Sequence, residues 1–216
     1  MNRIPEFPVY LFDVDGTLVD SASDICGAIQ EVLCETTQNN VEDTFLRGYI
    51  GRHLVDVFQD LFPSHSPEQI EALIVHYRRV YPERKHSMTK PYPGVAEALS
   101  ALGGRKSTAT TKGTPTTRVV LEMFGLLPYF DHVQGTDGFP AKPEPDVIFR
   151  SLEVLGASPE HCLLVGDSPA DMEAGRRAGV KTCAVLYGYG QEADLAKWQP
   201  DYWISDLRQL VPSARV

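Results

Sequence analysis

The spacing of hydrophobic and polar residues changes at about residue 90 and divides the chain into two parts. Beyond that point, short apolar runs typical of buried strands alternate with stretches of helical spacing. The strand-like runs cover residues 107–110, 131–134, 161–165, 181–186 and 202–204. The helical stretches cover residues 95–102, 116–124, 146–155 and 170–178. This alternation predicts a parallel sheet with helices on both of its faces.

The first strand of this sheet lies near the start of the chain, before the change in spacing. Residues 9–12 form an unbroken apolar run, which is typical of a strand that is buried on both faces. From there to residue 90 the spacing is helical and no strand is expected. The predicted helices run from a cap at Asp20 or Ser21 to Leu33, over 41–46, over 53–61, and from Ser66-Pro67 onward.

A helical segment therefore interrupts the strand-helix alternation. We predict an α/β fold with two parts, a core and a cap. The core is a Rossmann-like parallel sheet with helices on both faces, and the cap is an inserted all-helical domain. The predicted bounds are 1–19 and 91–216 for the core domain and 20–90 for the cap domain.

Composition limits the kinds of partner. The 216 residues are 43% hydrophobic and 23% charged, as is usual for a globular protein, and the net charge of −9 argues against nucleic acid or an anionic membrane. Four cysteines without CxxC spacing favour buried free thiols over disulfides or a zinc site. Without a signal-peptide pattern or a membrane-spanning apolar run, we expect a cytoplasmic protein. Both a monomer and a homodimer stay open as its oligomeric state.

Two acidic residues, Asp13 and Asp15, directly follow the first strand and precede Gly16. The carboxyl ends of parallel strands are where open α/β sheets bind ligands. The same residues could form an ordinary turn, because Asp and Gly are common turn formers. A calcium-binding loop fits less well, because the glycine comes too early and no glutamate closes the pattern.

A second acidic pair, Asp167 and Asp171, follows the strand predicted at 161–165. Helix capping by Ser168 and a favourable dipole interaction would explain Asp171 well but Asp167 poorly. If the two pairs converge, carboxylates about 4 Å apart repel by roughly 4 kcal/mol at an effective dielectric of 20. Such a cluster must hold protons or bind a hard cation, for which Mg²⁺ is the natural candidate.

Two segments between the acidic pairs can bind phosphate. Thr110 and Thr111 end a predicted strand, and their hydroxyl and backbone N–H groups can hold phosphate oxygens. Lys142 lies among prolines in a stiff loop, so its position is expected to be fixed. A fixed cation can neutralise both a nucleophile and a transferring phosphoryl group.

Together these motifs resemble the haloacid dehalogenase superfamily. The resemblance covers nearly the whole chain, including the helical insertion, which is similar to the cap of that superfamily. It depends on the order and spacing of four motifs: Asp13-Val14-Asp15-Gly16-Thr17, Thr110, Lys142-Pro143 and Gly166-Asp167-Ser168-Pro169-Ala170-Asp171. Within the superfamily the chain looks most like the phosphoglycolate phosphatase group, on the basis of Lys90-Pro91-Tyr92-Pro93-Gly94-Val95, Phe124-Gly125-Leu126 and the Gly-Asp-Ser-x-x-Asp-Met form of the last motif. Many members of that group have asparagine where this chain has Thr111.

The resemblance implies a role for each acidic residue. Asp13 would be the nucleophile that takes the phosphoryl group, and Asp15 the acid and base that protonates the leaving oxygen and activates water. Mg²⁺ would be bound by the carboxylates of Asp13 and Asp167 and the backbone carbonyl of Asp15, with Asp171 supporting these ligands. The resemblance also implies that Thr110 and Lys142 hold phosphate oxygens.

Substrate specificity is expected to lie in the loop of residues 47–53. Arg47 and Arg52 flank Gly51 there, and arginine suits bidentate binding of a carboxylate or second phosphate. The loop resembles the substrate-specificity loop of the family, so all three residues are candidate substrate contacts. A solvated loop between helices is the alternative.

We therefore expect a Mg²⁺-dependent phosphatase that hydrolyses a small phosphoglycolate-like phosphomonoester through an aspartyl-phosphate. Asp15 argues for phosphoester chemistry, since dehalogenases of the superfamily lack an acid at that position. A sugar phosphomutase similar to β-phosphoglucomutase, or a pyrophosphatase, is the alternative enzyme. The alternative without catalysis is a module that binds a phosphorylated metabolite.

Overall fold

Five parallel strands form the central sheet in a computed structural model of the protein, which describes residues 4–37 and 41–212. Residues 1–3, 38–40 and 213–216 of the predicted core and cap lie outside this description. In chain order, the strands are β1 (Val9–Phe12), β2 (Val19–Asp20), β3 (Lys90–Pro91), β4 (Arg105–Thr108), β5 (Cys162–Gly166), β6 (Lys181–Val185) and β7 (Tyr202–Ile204). The central sheet has the order β4-β1-β5-β6-β7, which confirms the predicted α/β core.

Strands β2 and β3 form a separate antiparallel pair that the sequence did not predict. Each is two residues long, which is too short for a periodic signal. They lie where the chain leaves the core and where it returns. Between them, the described residues form helices α1 (Ala22–Leu33), α2 (Asp43–Arg47), α3 (Leu54–Leu61) and α4 (Pro67–Glu83). We call this segment, residues 20–90, the helical insertion.

The remaining helices follow β3. They are α5 (Val95–Ala101), α6 (Thr114–Met123), α7 (Asp146–Leu155), α8 (Pro169–Ala178) and α9 (Glu192–Ala196), with short 3₁₀ helices at Leu127–Tyr129, Pro159–His161 and Leu207–Leu210. Local signals explain several ends. Ser66 and Gln69 form a capping box at the start of α4, and Gly156 and Gly179 end α7 and α8 in the left-handed conformation.

Side chains of β1 pack against helices on both faces of the sheet. Tyr10 and Phe12 belong to one buried cluster, together with residues of α5 and α6. Val9 and Leu11 belong to another, together with residues of α7 and α8. Because side chains alternate along a strand, the two clusters lie on opposite faces, as predicted. Burying each large apolar side chain stabilises the fold by about 1.5–3 kcal/mol.

The helical insertion has a hydrophobic cluster of its own. The largest fully buried members come from all four helices and include Ile29, Leu46, Phe58 and Ile74. One partly buried side chain of the core, Tyr189, packs against this cluster. The division into core and cap domains at the predicted residues remains a prediction.

The strand predicted at 131–134 is wrong. Its pairing with β4 is limited to an isolated bridge between Ser107 and His132, where the N–H groups of Asp131 and His132 both donate to the Lys106 carbonyl. The hydroxyl of Thr108 replaces further strand pairing, since it donates to the Gln134 carbonyl at 2.9 Å and accepts from the Gln134 N–H at 2.8 Å. A side chain therefore satisfies the backbone groups that a strand would have used.

Two further expectations concerned the state of the cysteines and the presence of membrane-spanning segments. Cys26, Cys162 and Cys183 are buried free thiols as predicted, but Cys34 is exposed. Cys34 follows the last residue of α1, where that helix emerges from the hydrophobic cluster. Among residues 4–37 and 41–212, no helix is both long and apolar enough to cross a membrane.

Candidate active site

The carboxyl ends of β1, β4 and β5 bring the distant motifs together at one edge of the sheet. Backbone hydrogen bonds extend the pairing beyond the strands, because Asp13 N donates to Val165 O at 2.9 Å and Ala109 N donates to Phe12 O at 2.8 Å. Asp13 therefore lies between the segments that carry Thr110 and Asp167. All three side chains are buried.

The ammonium group of Lys142 lies at the centre of this arrangement. Its Nζ donates to Asp13 Oδ1 at 2.8 Å, to Asp171 Oδ1 at 2.5 Å and to the Ala109 carbonyl at 2.8 Å. Burial alone would lower the pKa of Lys142, but the two carboxylates outweigh this effect and raise it. All three ammonium protons have a partner, so the charge is held at a fixed place beside Asp13.

Three carboxylates form a buried acidic cluster. Asp13, Asp167 and Asp171 each offer an oxygen, and these oxygens lie within 4.8 Å of one another. Desolvation raises the pKa of Asp13 to about 7 although Lys142 opposes the shift, and burial together with the neighbouring carboxylates raises the pKa of Asp167 well above its usual range. The cluster thus has more negative charge than Lys142 compensates, which fits a hard cation with oxygen ligands.

The carboxylate of Asp167 is oriented by groups that the sequence did not single out. Thr17 Oγ1 donates to Oδ1 at 3.0 Å, and the backbone N–H of Tyr189 donates to Oδ2 at 2.8 Å. Gly16 and Gly188 pack so closely that a Cβ on either would collide with the Asp167 side chain. Thr17 belongs to the first motif, but no sequence signal pointed to the loop of Tyr189.

Asp171 has both roles that the sequence left open. It forms a capping box with Ser168, whose N–H and hydroxyl donate to Asp171 Oδ2 at 3.0 and 2.6 Å. Its other oxygen accepts from Lys142. Capping the helix therefore fixes the carboxylate that helps to hold the lysine.

Asp15 faces away from this cluster and towards the helical insertion. Its Oδ1 accepts from the Ser21 hydroxyl at 2.5 Å, and its Oδ2 forms an ion pair with Lys112 Nζ at 3.2 Å. The sequence predicted Ser21 only as a possible cap of α1, where its side chain makes no capping bond, and predicted no role for Lys112. Lys112 directly follows the predicted phosphate-binding Thr110 and Thr111, which was the available signal.

A cavity of about 530 Å³ lies between the core and the helical insertion. The core contributes Asp15, Thr111 and Lys112 to its lining, and the insertion contributes Gly51, Arg52 and Tyr81. The cavity therefore brings the predicted acid and base beside one arginine of the predicted specificity loop.

The remaining predicted substrate residues differ in position. Arg47 is not among the described residues that line the cavity, and its Nε pairs with Asp43 at 2.5 Å on the exposed side of α2. Arg52 lies with its guanidinium 5.3 Å from the centre of the Tyr49 ring. Thr110 is buried behind the turn, where its hydroxyl accepts from the Lys112 N–H at 3.3 Å. Direct contact of these side chains with substrate stays a prediction.

Fold and site together define the class of protein. Residues 10–185 match the family model of the haloacid dehalogenase-like hydrolases, and the chain belongs to this family. The resemblance found in the four motifs is confirmed. Among solved structures, a haloacid dehalogenase-like family hydrolase from Streptococcus pneumoniae has a TM-score of 0.84 at 28% identity, covering 93% of this chain and 95% of that one. A Bacteroides fragilis protein described as a haloacid dehalogenase-like hydrolase reaches 0.91 at 28% identity, covering 95% and 100%.

Curated relatives narrow the class to phosphatases. The chain is 37% identical over 207 residues to the phosphoglycolate phosphatase of Aquifex aeolicus, covering 94% of each protein. It is 31% identical over 206 residues to the pyrophosphatase PpaX of Bacillus cereus, again covering 94% of each. The predicted enzyme class, a phosphatase of the haloacid dehalogenase type, is confirmed.

Proposed function

We propose that this protein is a Mg²⁺-dependent phosphatase that hydrolyses a small phosphoglycolate-like phosphomonoester through an aspartyl-phosphate on Asp13. The observation that carries this proposal is the fixed ammonium of Lys142, bonded to Asp13 within the buried acidic cluster. A carboxylate attacks a phosphate dianion only when nearby positive charge offsets their repulsion.

Asp13, Asp167 and the backbone carbonyl of Asp15 would hold the Mg²⁺, with Asp171 supporting them. The bound cation would supply positive charge that neutralises the phosphoryl oxygens. Lys142 adds charge from the protein itself, and Thr110 and Thr111 offer hydroxyl and backbone donors for the remaining phosphate oxygens.

Asp13 and Asp15 have different roles in the reaction, the first as nucleophile and the second as acid and base. A carboxylate oxygen of Asp13 bonds to phosphorus as the bond to the leaving oxygen breaks, and the leaving oxygen takes the proton of the Asp15 carboxyl group. Water then attacks the phosphorus of the aspartyl-phosphate and gives a proton to Asp15. The bond to Asp13 breaks, phosphate leaves, and both carboxyl groups return to their starting states.

Arg52 in the cavity favours a leaving group that carries a negative charge of its own, such as glycolate with its carboxylate. The helical insertion acts as the cap domain that covers this group, with its bounds at 20–90. The same guanidinium would accept the phosphate leaving group of pyrophosphate, and the PpaX relative makes pyrophosphatase activity the second candidate. A small phosphorylated metabolite in the cytoplasm is the expected partner of a monomeric or homodimeric enzyme.

Phosphate release from a panel of phosphoglycolate, pyrophosphate, sugar phosphates and nucleotides tests this proposal. We expect turnover in Mg²⁺, none in EDTA, and none in Asp13→Asn. The ranking of phosphoglycolate and pyrophosphate decides between the two candidates. A sugar phosphate that isomerises without net phosphate release would favour a mutase, and no turnover on any substrate would favour a binding module.

A further inference from the structure

Lys112 joins the helical insertion to the proposed acid and base. Its Nζ lies 3.2 Å from Asp15 Oδ2 and donates to the Tyr81 hydroxyl at 2.9 Å. The same nitrogen lies 4.4 Å from the centre of the Tyr81 ring. Tyr81 belongs to α4 of the insertion, whereas Lys112 and Asp15 belong to the core, so the three side chains form a contact across the boundary.

This contact is largely buried at the wall of the cavity. The Lys112 side chain is 9% exposed and the Asp15 side chain 10%. The Lys112 ammonium has the Asp15 carboxylate on its core side and the Tyr81 hydroxyl on the side of the insertion, so its charge is paired within these surroundings. A charged hydrogen bond in such surroundings is stronger and more directional than one at the surface.

Asp15 is thereby held on both carboxyl oxygens. Ser21, which precedes α1 at the entrance to the insertion, binds Oδ1, and Lys112 binds Oδ2. Position matters for a group that must reach the leaving oxygen, because a small misplacement of a proton donor slows the transfer strongly.

We propose that Lys112 is a positioning residue, which orients the Asp15 carboxyl group for proton transfer when Tyr81 of the helical insertion packs against it. The inference rests on the proposed function, since it assigns a role within the same reaction. Closure of the insertion would thus complete the proton-transfer geometry as well as cover the substrate.

Proton transfer gives this role a signature that a structural ion pair lacks. An alkyl leaving group such as that of phosphoglycolate departs as a basic alkoxide and needs the proton of Asp15. The leaving group of 4-nitrophenyl phosphate is a stabilised anion and needs little protonation. If the Asp15 carboxyl group is no longer correctly positioned, hydrolysis of phosphoglycolate should therefore slow more than hydrolysis of 4-nitrophenyl phosphate.

The experiment compares kcat/KM for both substrates in wild type, Lys112→Met, Lys112→Arg and Tyr81→Phe. We use kcat/KM because it covers the steps up to phosphoryl transfer, before the shared hydrolysis of the intermediate. Lys106→Met is the matched control, since Lys106 is also buried but its Nζ donates to the Gly104 carbonyl at 3.2 Å. Unfolding midpoints verify that each variant is folded.

General acid catalysis contributes about 10²–10⁴-fold, so Lys112→Met should lower kcat/KM for phosphoglycolate by about tenfold or more beyond its effect on 4-nitrophenyl phosphate. Tyr81→Phe should show the same selectivity more weakly, and Lys112→Arg should restore part of the loss. Equal losses on both substrates in Lys112→Met, or in Tyr81→Phe if Lys112→Met does not fold, would overturn the positioning role but leave the proposed function standing. No hydrolysis by wild type would overturn both.

Discussion

Replacing Lys142 by methionine tests the electrostatic account of the site in depth. Methionine keeps much of the apolar stem but removes the ammonium that bonds Asp13 at 2.8 Å and Asp171 at 2.5 Å. Each pair would gain about 6 kcal/mol from Coulomb attraction at an effective dielectric of 20. Desolvation offsets much of this energy, and removing one partner of a buried pair costs about 3–5 kcal/mol.

A loss of this size is easy to measure. For a chain of this length, each kcal/mol shifts the unfolding midpoint by roughly 2–4 °C, so we expect Lys142→Met to unfold about 6–20 °C below wild type. Phosphate release should fall by about 10²-fold or more, because in the proposed mechanism Lys142 also neutralises the phosphoryl group. Thermal unfolding in EDTA and turnover in Mg²⁺ measure the two effects separately.

A second substitution separates stability from catalysis. In Lys142→Met/Asp171→Asn, one of the two carboxylates that Lys142 bonds in wild type is gone, so part of the lost stability should return while activity stays low. Lys106→Met is the control for removing a buried lysine outside the acidic cluster. A Lys142→Met protein with the midpoint and turnover of wild type would refute this account of the site.

Two further predictions concern the protonation of the buried acidic cluster and the packing of the loop of residues 47–53 against the core. In EDTA, the folded state binds more protons than the unfolded state between about pH 4 and pH 7, because burial raises the pKa of Asp13 to about 7 and also raises that of Asp167. The free energy of unfolding should therefore fall by a few kcal/mol as pH rises through this range, and Mg²⁺ should reduce the fall. The unfolding midpoint, measured against pH with and without Mg²⁺, tests this. A midpoint that rises with pH in EDTA would contradict the raised pKa values of the two carboxyl groups. Gly51→Ala adds a Cβ about 3.0 Å from Ser168 Cβ at a φ of +86°, so the loop of residues 47–53 can no longer pack closely against the core and kcat/KM should fall. Gly125→Ala is the control for backbone strain alone, because Gly125 has a φ of +67° and a Cβ there meets nothing within 4 Å. Equal kinetics in the two glycine variants would argue against close packing of the loop during turnover.

The sequence predicted those parts of the fold that depend on local signals. Helix α7 begins and ends at the predicted residues, because helical spacing and a left-handed Gly156 mark it in the chain itself. Segment 131–134 was also predicted from its local residue pattern, as a strand. There the side chain of Thr108, more than twenty residues away, decided the outcome by pairing with the Gln134 backbone.

The residues of the site also include some that local signals indicated and others that they did not. Asp13 and Asp167 were recognisable because each follows a buried strand, and parallel strands bring their ends together. Lys112 had no comparable signal, since its partners Asp15 and Tyr81 come from distant parts of the chain. The contact with Tyr81 depends on how the helical insertion packs against the core, which residue spacing does not encode.

The central claim is that Asp13 takes the phosphoryl group, and the most direct test is to trap that intermediate. Wild type and Asp13→Asn would each be mixed with Mg²⁺ and phosphoglycolate, quenched in acid during turnover and analysed by peptide mass spectrometry. We predict a phosphorylated peptide with the added group on Asp13 in wild type and no phosphorylation in the variant. A phosphoryl group on another residue, or hydrolysis that continues in Asp13→Asn, would contradict the account.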